Sequence, residues 1–251
     1  MTKYSDVRTA LNHVYDVFKV YKVTHPVVGS PISVTPEHQK ELAAKPMPQL
    51  DQEILWKFLF SSLNTWGDEN DFKHFLPRIL ELHIYRDNNG HLLYDPQLLF
   101  MKLHRADWRT WNQEEQSAIE TFLDTWWLSI LSEYTDEYQW QAASFITAAH
   151  DIDLQRYLDM WEDALPEVSA VRQLAEMIWR IYGVSYQGFG IVKVRDPLLQ
   201  WVLQPEIETV LESAFFTYSD EPYSVAFSIA LEEIKLFRNW LYPPGSTHPS
   251  P

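Results

Sequence analysis

Two short clusters in this chain combine residue types that do chemistry. Asp68, Asp71, His74, Arg78 and Glu81 follow one another at near-helical spacing. On a helix, Asp71, His74 and Arg78 stand at i, i+3 and i+7 on one face and can orient a ligand or a substrate phosphate. A structural role competes with that one. Asp68 can cap the helix after the turn Trp66-Gly67, Asp71 favours the positive N-terminal end, and His74 and Arg78 can serve as polar-face or cross-helix partners. The second cluster is His150-Asp151-Ile152-Asp153. A His-Asp pair can hold a divalent metal that activates water. The plainer role of Asp151 or Asp153 is the N-cap of the next helix.

Other chemistries lack their residues. With no cysteine there is no disulfide framework, thiolate zinc site or cysteine nucleophile. HExxH, Walker-loop and GxSxG patterns are absent, and Gly188-Phe189-Gly190 lacks the third glycine and the strand-then-helix setting of a phosphate cradle. His13, His25, His38 and His248 have no ligand-spaced neighbours. No catalytic set and no cofactor are expected, and no metal except the alternative at His150 and Asp151.

Charge narrows the partners. Twenty Lys and Arg against 35 Asp and Glu leave −15, whereas a nucleic-acid binder needs a basic footprint over phosphates. The first fifty residues carry six bases and four acids, +2, so the other 201 hold −17. Between Arg109 and Arg156 there is no base but nine acids, among them Glu114, Glu115, Glu133, Asp136 and Glu137. Between Arg195 and Lys235 lie eight more, among them Glu206, Glu208 and Glu212. Local i,i+4 ion pairs cannot satisfy these acids, so they are solvated, paired at long range or offered to a basic partner.

The elements that carry these residues read as helices. Ile119, Phe122, Leu123, Trp126, Trp127, Ile130, Leu131 and Tyr134 form an unbroken 3.6-residue stripe with a polar opposite face. Helices are predicted at about 6–21, 51–64, 69–85, 96–105, 112–133, 136–149, 153–163, 166–182, 197–217 and 222–241. Pro77 predicts a kink or a fresh start near Leu76, and Gln204-Pro205 a break in 197–217. Asp95-Pro96 and Asp196-Pro197 read as helix starts, and Ala226, Ile229, Ala230, Phe237 and Leu241 as the buried stripe of the last helix. The segment 23–49, with five prolines, is an extended connector with at most a short helix after Thr35-Pro36, and the Pro-rich 243–251 is a disordered tail. Gly183–Val194 admits a small β-hairpin near 184–194 or a long ordered loop. The expected fold is one all-α domain, 1–242, of stacked antiparallel hairpins, as an α-α array or an irregular bundle. The 11 tryptophans fall mostly on the stripes as core. Trp108 and Trp111 lie outside them and are candidates for an exposed contact.

The block Trp66–Leu82 resembles a stretch in an uncharacterised family of bacterial all-helical proteins. The resemblance covers about 17 residues and implies a helical protein, with no activity to carry over. His150-Asp151 resembles the motif pair of the all-helical HD-domain metal phosphohydrolases, although Asp153 stands where that motif has glycine. The resemblance implies a remote histidine, for which His83, His91 and His104 are candidates, and a remote aspartate, Asp196 or Asp220, to complete the metal site. No segment approaches the roughly 18 uncharged apolar residues of a membrane span, and residues 1–20 lack the apolar core of a signal peptide. A cytoplasmic, non-enzymatic binding protein follows, engaging a basic protein partner through Glu114, Glu115, Glu133, Asp136, Glu137, Glu206, Glu208, Glu212, Trp108 and Trp111. The alternatives are an HD-like metal-dependent hydrolase and an oligomeric scaffold.

Overall fold

The computed structural model describes residues 3–23, 26–84, 96–134, 141–148, 154–184 and 191–241. The fold is all-α: twelve α-helices and two short 3-10 turns follow one another among the described residues, with no strand. The chain divides into two compact units, Met1–Ser129 and Ile130–Pro251, where the sequence led to a single domain. The tail 243–251 lies outside the described residues.

The first unit holds α1 (Lys3–Phe18), α2 (Pro36–Leu42), α3 (Gln52–Ser61), α4 (Glu69–Ile84), α5 (Pro96–Arg105) and most of α6 (Gln113–Ser132). α1 buries Val7, Ala10, Leu11, Val14 and Phe18, a helical stripe, and packs on α4. α2 is the short helix expected after Thr35, whose Oγ1 accepts the His38 N–H at 3.3 Å with Pro36 at the first position. α3 packs on α2, α4 and α5. The predicted stripe of α6 is buried from Ile119 through Leu131, and Tyr134 just beyond the helix is half-buried.

Of the kink or fresh start expected near Leu76, the fresh start does not occur: α4 runs as one helix through Pro77. An interior proline costs about 3 kcal/mol through one lost bond and a ring clash. Here Phe72, Leu76 and Leu80 are fully buried around it, and that packing holds the helix together.

The second unit holds α7 (Gln141–Ala148), α8 (Leu154–Ala164), α9 (Val168–Val184), α10 (Ile191–Val202), α11 (Pro205–Thr217) and α12 (Ser224–Leu241). α9 is its centre, packed on α7, α10, α11 and α12, and α11 packs on α12 as a hairpin. The break at Gln204-Pro205 separates α10 from α11 as expected. Ile191–Val194, read as strand-capable, opens α10 instead, and Asp196-Pro197 lies inside that helix rather than at its start. Residues 185–190, the rest of the segment read as a small β-hairpin or a long ordered loop, lie outside the described residues.

Several buried tryptophans seat their indole N–H groups on oxygen acceptors. Trp66 donates to the Val27 carbonyl at 3.2 Å, Trp161 to the Ala170 carbonyl at 3.1 Å and Trp201 to Glu162 Oε1 at 2.5 Å.

Candidate functional site

The structure separates the three residues of the polar face. Asp71 Oδ2 accepts the Asp68 N–H at 3.0 Å while Asp68 Oδ1 accepts the Asp71 N–H at 3.0 Å, a reciprocal cap at the start of α4. His74 Nδ1 lies 2.9 Å from the Tyr21 carbonyl oxygen; a carbonyl only accepts, so Nδ1 carries the proton and donates. Arg78 donates to Glu81 Oε2 at 2.6 Å, and Tyr15 donates to the same oxygen at 2.6 Å. The three residues therefore have separate partners: Asp71 stays within the cap, His74 ties α4 to the Tyr21 carbonyl, and Arg78, besides Glu81 on its own helix, reaches the Leu50 carbonyl at 3.4 Å.

A dense polar network surrounds Lys73, one residue from His74. Its Nζ lies 3.1 Å from Glu115 Oε2, 3.1 Å from Glu69 Oε1 and 3.3 Å from the Tyr21 hydroxyl. The indole of Trp111 lies 4.2 Å from the ammonium and the Tyr21 ring 5.1 Å. The Tyr21 hydroxyl donates to the other oxygen of Glu115, and Asn112 Oδ1 accepts the Glu115 N–H at 3.0 Å. Burial pulls the ammonium down, but its bonds to Glu115, Glu69 and Tyr21 outweigh that and leave the Lys73 pKa above its ordinary value. Burial and the bond to Glu115 raise the Tyr21 phenol. Every group is engaged by another, so the network is built as a strut between α4, α6 and the segment after α1.

Three of the expected partner-binding residues are corrected by this geometry. Glu115 is 2% exposed and holds the buried lysine, while Trp108 and Trp111 are 2% and 6% exposed. The 3-10 turn Trp108–Thr110 turns both rings inward. Trp111 lies over Lys73 and donates its N–H to the Ala106 carbonyl at 3.2 Å, and Arg109 covers Trp108 at 4.0 Å. A segment without helical period carries no stripe to reveal such burial. Glu114, Glu133, Glu206 and Glu212 are exposed, and Glu208 is half-buried against Arg238 at 2.8 Å. Asp136, Glu137, His150 and Asp151 lie outside the described residues. Among the described residues no cluster of three His, Cys, Asp or Glu side chains is arranged to hold a metal ion, and no helix is long and apolar enough to cross a membrane.

Two further features escaped the sequence reading. Lys102 on α5 is fully buried with no carboxylate in hand and donates to the Ser62 carbonyl at 2.7 Å, while Arg105 donates to the Leu63 carbonyl at 3.0 Å. These cations cap the C-terminal end of α3, where carbonyls lack helical partners and the dipole is negative. Burial, with a smaller contribution from Arg105, lowers the Lys102 pKa from its ordinary 10.5 to about 8.

The second is on α12, whose core face is Phe227, Ala230, Ile234 and Phe237. Ile229, expected inside, is 41% exposed, and Ala226 is half-buried. With Val225, Leu236 and Trp240, 57–59% exposed, Ile229 forms a second apolar stripe at i, i+4, i+11 and i+15 on the side away from the core. Glu232 falls within that stripe and Glu233 beside it, while Phe216 at the end of α11 is 74% exposed. The spacing was legible, but a helix with two apolar faces does not declare which one is buried.

No family model, curated protein or solved structure matches this chain.

Proposed function

We propose that the chain is a non-enzymatic, cytoplasmic binding protein whose second unit engages a basic protein partner, in the manner of an antitoxin, an immunity protein or a nucleic-acid mimic. The observation that carries the reading is the exposed stripe Val225, Ile229, Leu236 and Trp240 on an acidic helical hairpin. Exposed apolar patches rimmed by polar residues mark interaction surfaces. The second unit carries 18 acids and seven bases, so −11 of the chain's −15 lies there. On the α11–α12 hairpin, Glu206, Glu212, Asp220, Glu221 and Glu232 are exposed, while the two bases, Lys235 and Arg238, are paired with Glu232 and Glu208. The complement of this surface is a helix with an apolar ridge and basic flanks. Acid–base complementarity of this kind adds association rate and specificity to the apolar contact.

The test uses a synthetic amphipathic helix with leucines on one face and lysines at its edges, followed by tryptophan fluorescence. Binding should weaken about tenfold or more between about 50 and about 300 mM salt. Leu236→Asp with Trp240→Ala should abolish it at low salt. Binding that ignores both salt and these substitutions refutes the reading. A concentration-dependent doubling of solution mass that the same variants remove would assign the stripe to a second copy of the chain instead.

A further inference from the structure

A cavity of about 620 Å³ opens in the first unit between the end of α1, the end of α2 and the middle of α4. Its buried wall is apolar, formed by Phe18, Leu42 and Phe75. Around this wall stand Lys19, Lys22 and Lys45, all exposed, and the half-buried His74. Among the described residues no Asp or Glu lines the cavity, although acids outnumber bases 35 to 20 in the chain. The three lysines all come from the first fifty residues, the one stretch with a positive balance.

The polar groups around the cavity are arranged for an anion. Tyr15 and Tyr21 commit their hydroxyl protons to Glu81 and Glu115, and those two carboxylates are ion-paired with Arg78 and Lys73. The neighbouring negative charge is therefore already held. Lys19 and Lys45 pair with Asp16 at 3.3 Å and Asp51 at 2.5 Å, in exposed pairs whose carboxylates do not line the cavity. Such pairs contribute little and yield readily to a better-placed anion. With Nδ1 donating to the Tyr21 carbonyl, the His74 ring is fixed in the wall.

We infer that this cavity binds a small amphipathic anion, its apolar body against Phe18, Leu42 and Phe75 and its carboxylate or phosphate end among Lys19, Lys22 and Lys45. The volume is in the range of small-molecule sites, which combine an apolar lining with a few convergent polar groups. This inference shares no residue with the α12 surface, so either stands if the other fails.

The full chain is titrated with decanoate, decyl phosphate and decyltrimethylammonium by calorimetry. Both anions should bind and the cation should not; the tighter anion names the end group. Lys22→Ala with Lys45→Ala should weaken the anions about tenfold. Ala43→Trp, at an exposed position of the lining, should block binding by filling the cavity without touching the core, with circular dichroism confirming the fold. Equal binding of anion and cation, no binding of either anion, or anion binding unchanged by Ala43→Trp each overturns the inference.

Discussion

The pair Lys73–Glu115 offers the sharpest test of how the first unit is held together. The two side chains are 8% and 2% exposed and lie 3.1 Å apart. Removing one member of a buried pair strands the other charge and typically costs about 3–5 kcal/mol. In Glu115→Leu the ammonium keeps Glu69, which is half exposed, and the faces of Trp111 and Tyr21, so the loss belongs at the lower end, about 3 kcal/mol. In Lys73→Met the carboxylate keeps only the Tyr21 hydroxyl and the Asn112-capped helix start, so the loss is about 4 kcal/mol. The double variant leaves no stranded charge and should lose no more than about 2 kcal/mol, because an apolar pair of similar volume replaces an ion pair nearly without loss. In urea melts with a slope of about 2 kcal/mol per M, the single changes move the midpoint down by about 1.5–2 M and the double change by about 1 M or less. Single losses below about 1 kcal/mol, or a double loss equal to the sum of the singles, would refute the strut.

Lys102 gives a pH signature of opposite sign to an ordinary ion pair. Its folded pKa of about 8 lies below the ordinary 10.5. The unfolded chain therefore holds the extra proton between these values, and stability rises with pH across the window. Comparing Lys102→Met with the parent protein from pH 7 to pH 10 should show the difference moving in the parent's favour by about 2–3 kcal/mol; a pH-independent difference rejects the assignment. Gly67 has φ +72°, and an added Cβ would come 2.9 Å from Val27 Cγ1 and 3.0 Å from Asp71 Oδ2. Gly67→Ala should cost about 1–3 kcal/mol in a thermal melt, and an unchanged melting temperature contradicts it. The register of α12 is checked by neighbours: Leu236→Lys should change stability by less than about 0.5 kcal/mol, whereas Phe237→Ala should cost about 3–5 kcal/mol. Equal effects would place the core on another face.

Much of the fold was legible because helix formation is local. The stripe from Ile119 to Leu131, the short helix after Thr35 and the start of α5 at Pro96 all follow from residues within a turn or two of one another. Pro197 did not start a helix and Pro77 did not restart one, because a local rule sets a cost, and the packing that offsets it comes from elsewhere in the chain. The Asp71, His74 and Arg78 spacing was legible, but their destinations were not: Asp68 is local, whereas Tyr21 and the Leu50 carbonyl lie far off in sequence.

By itself the sequence determined that the protein is helical, that it has no thiol chemistry, and that its acids exceed their local bases. Only the tertiary structure decided which acids are spent inside and which stay available. Glu115 finds Lys73 across 42 residues, while Glu114, one position before it, is left in solvent. Likewise only packing chose between the two apolar faces of α12, burying Phe227, Ile234 and Phe237 and leaving Ile229, Leu236 and Trp240 outside. Periodicity records which residues share a face of one helix. The partner of that face is set by where other helices run, and no local pattern encodes it.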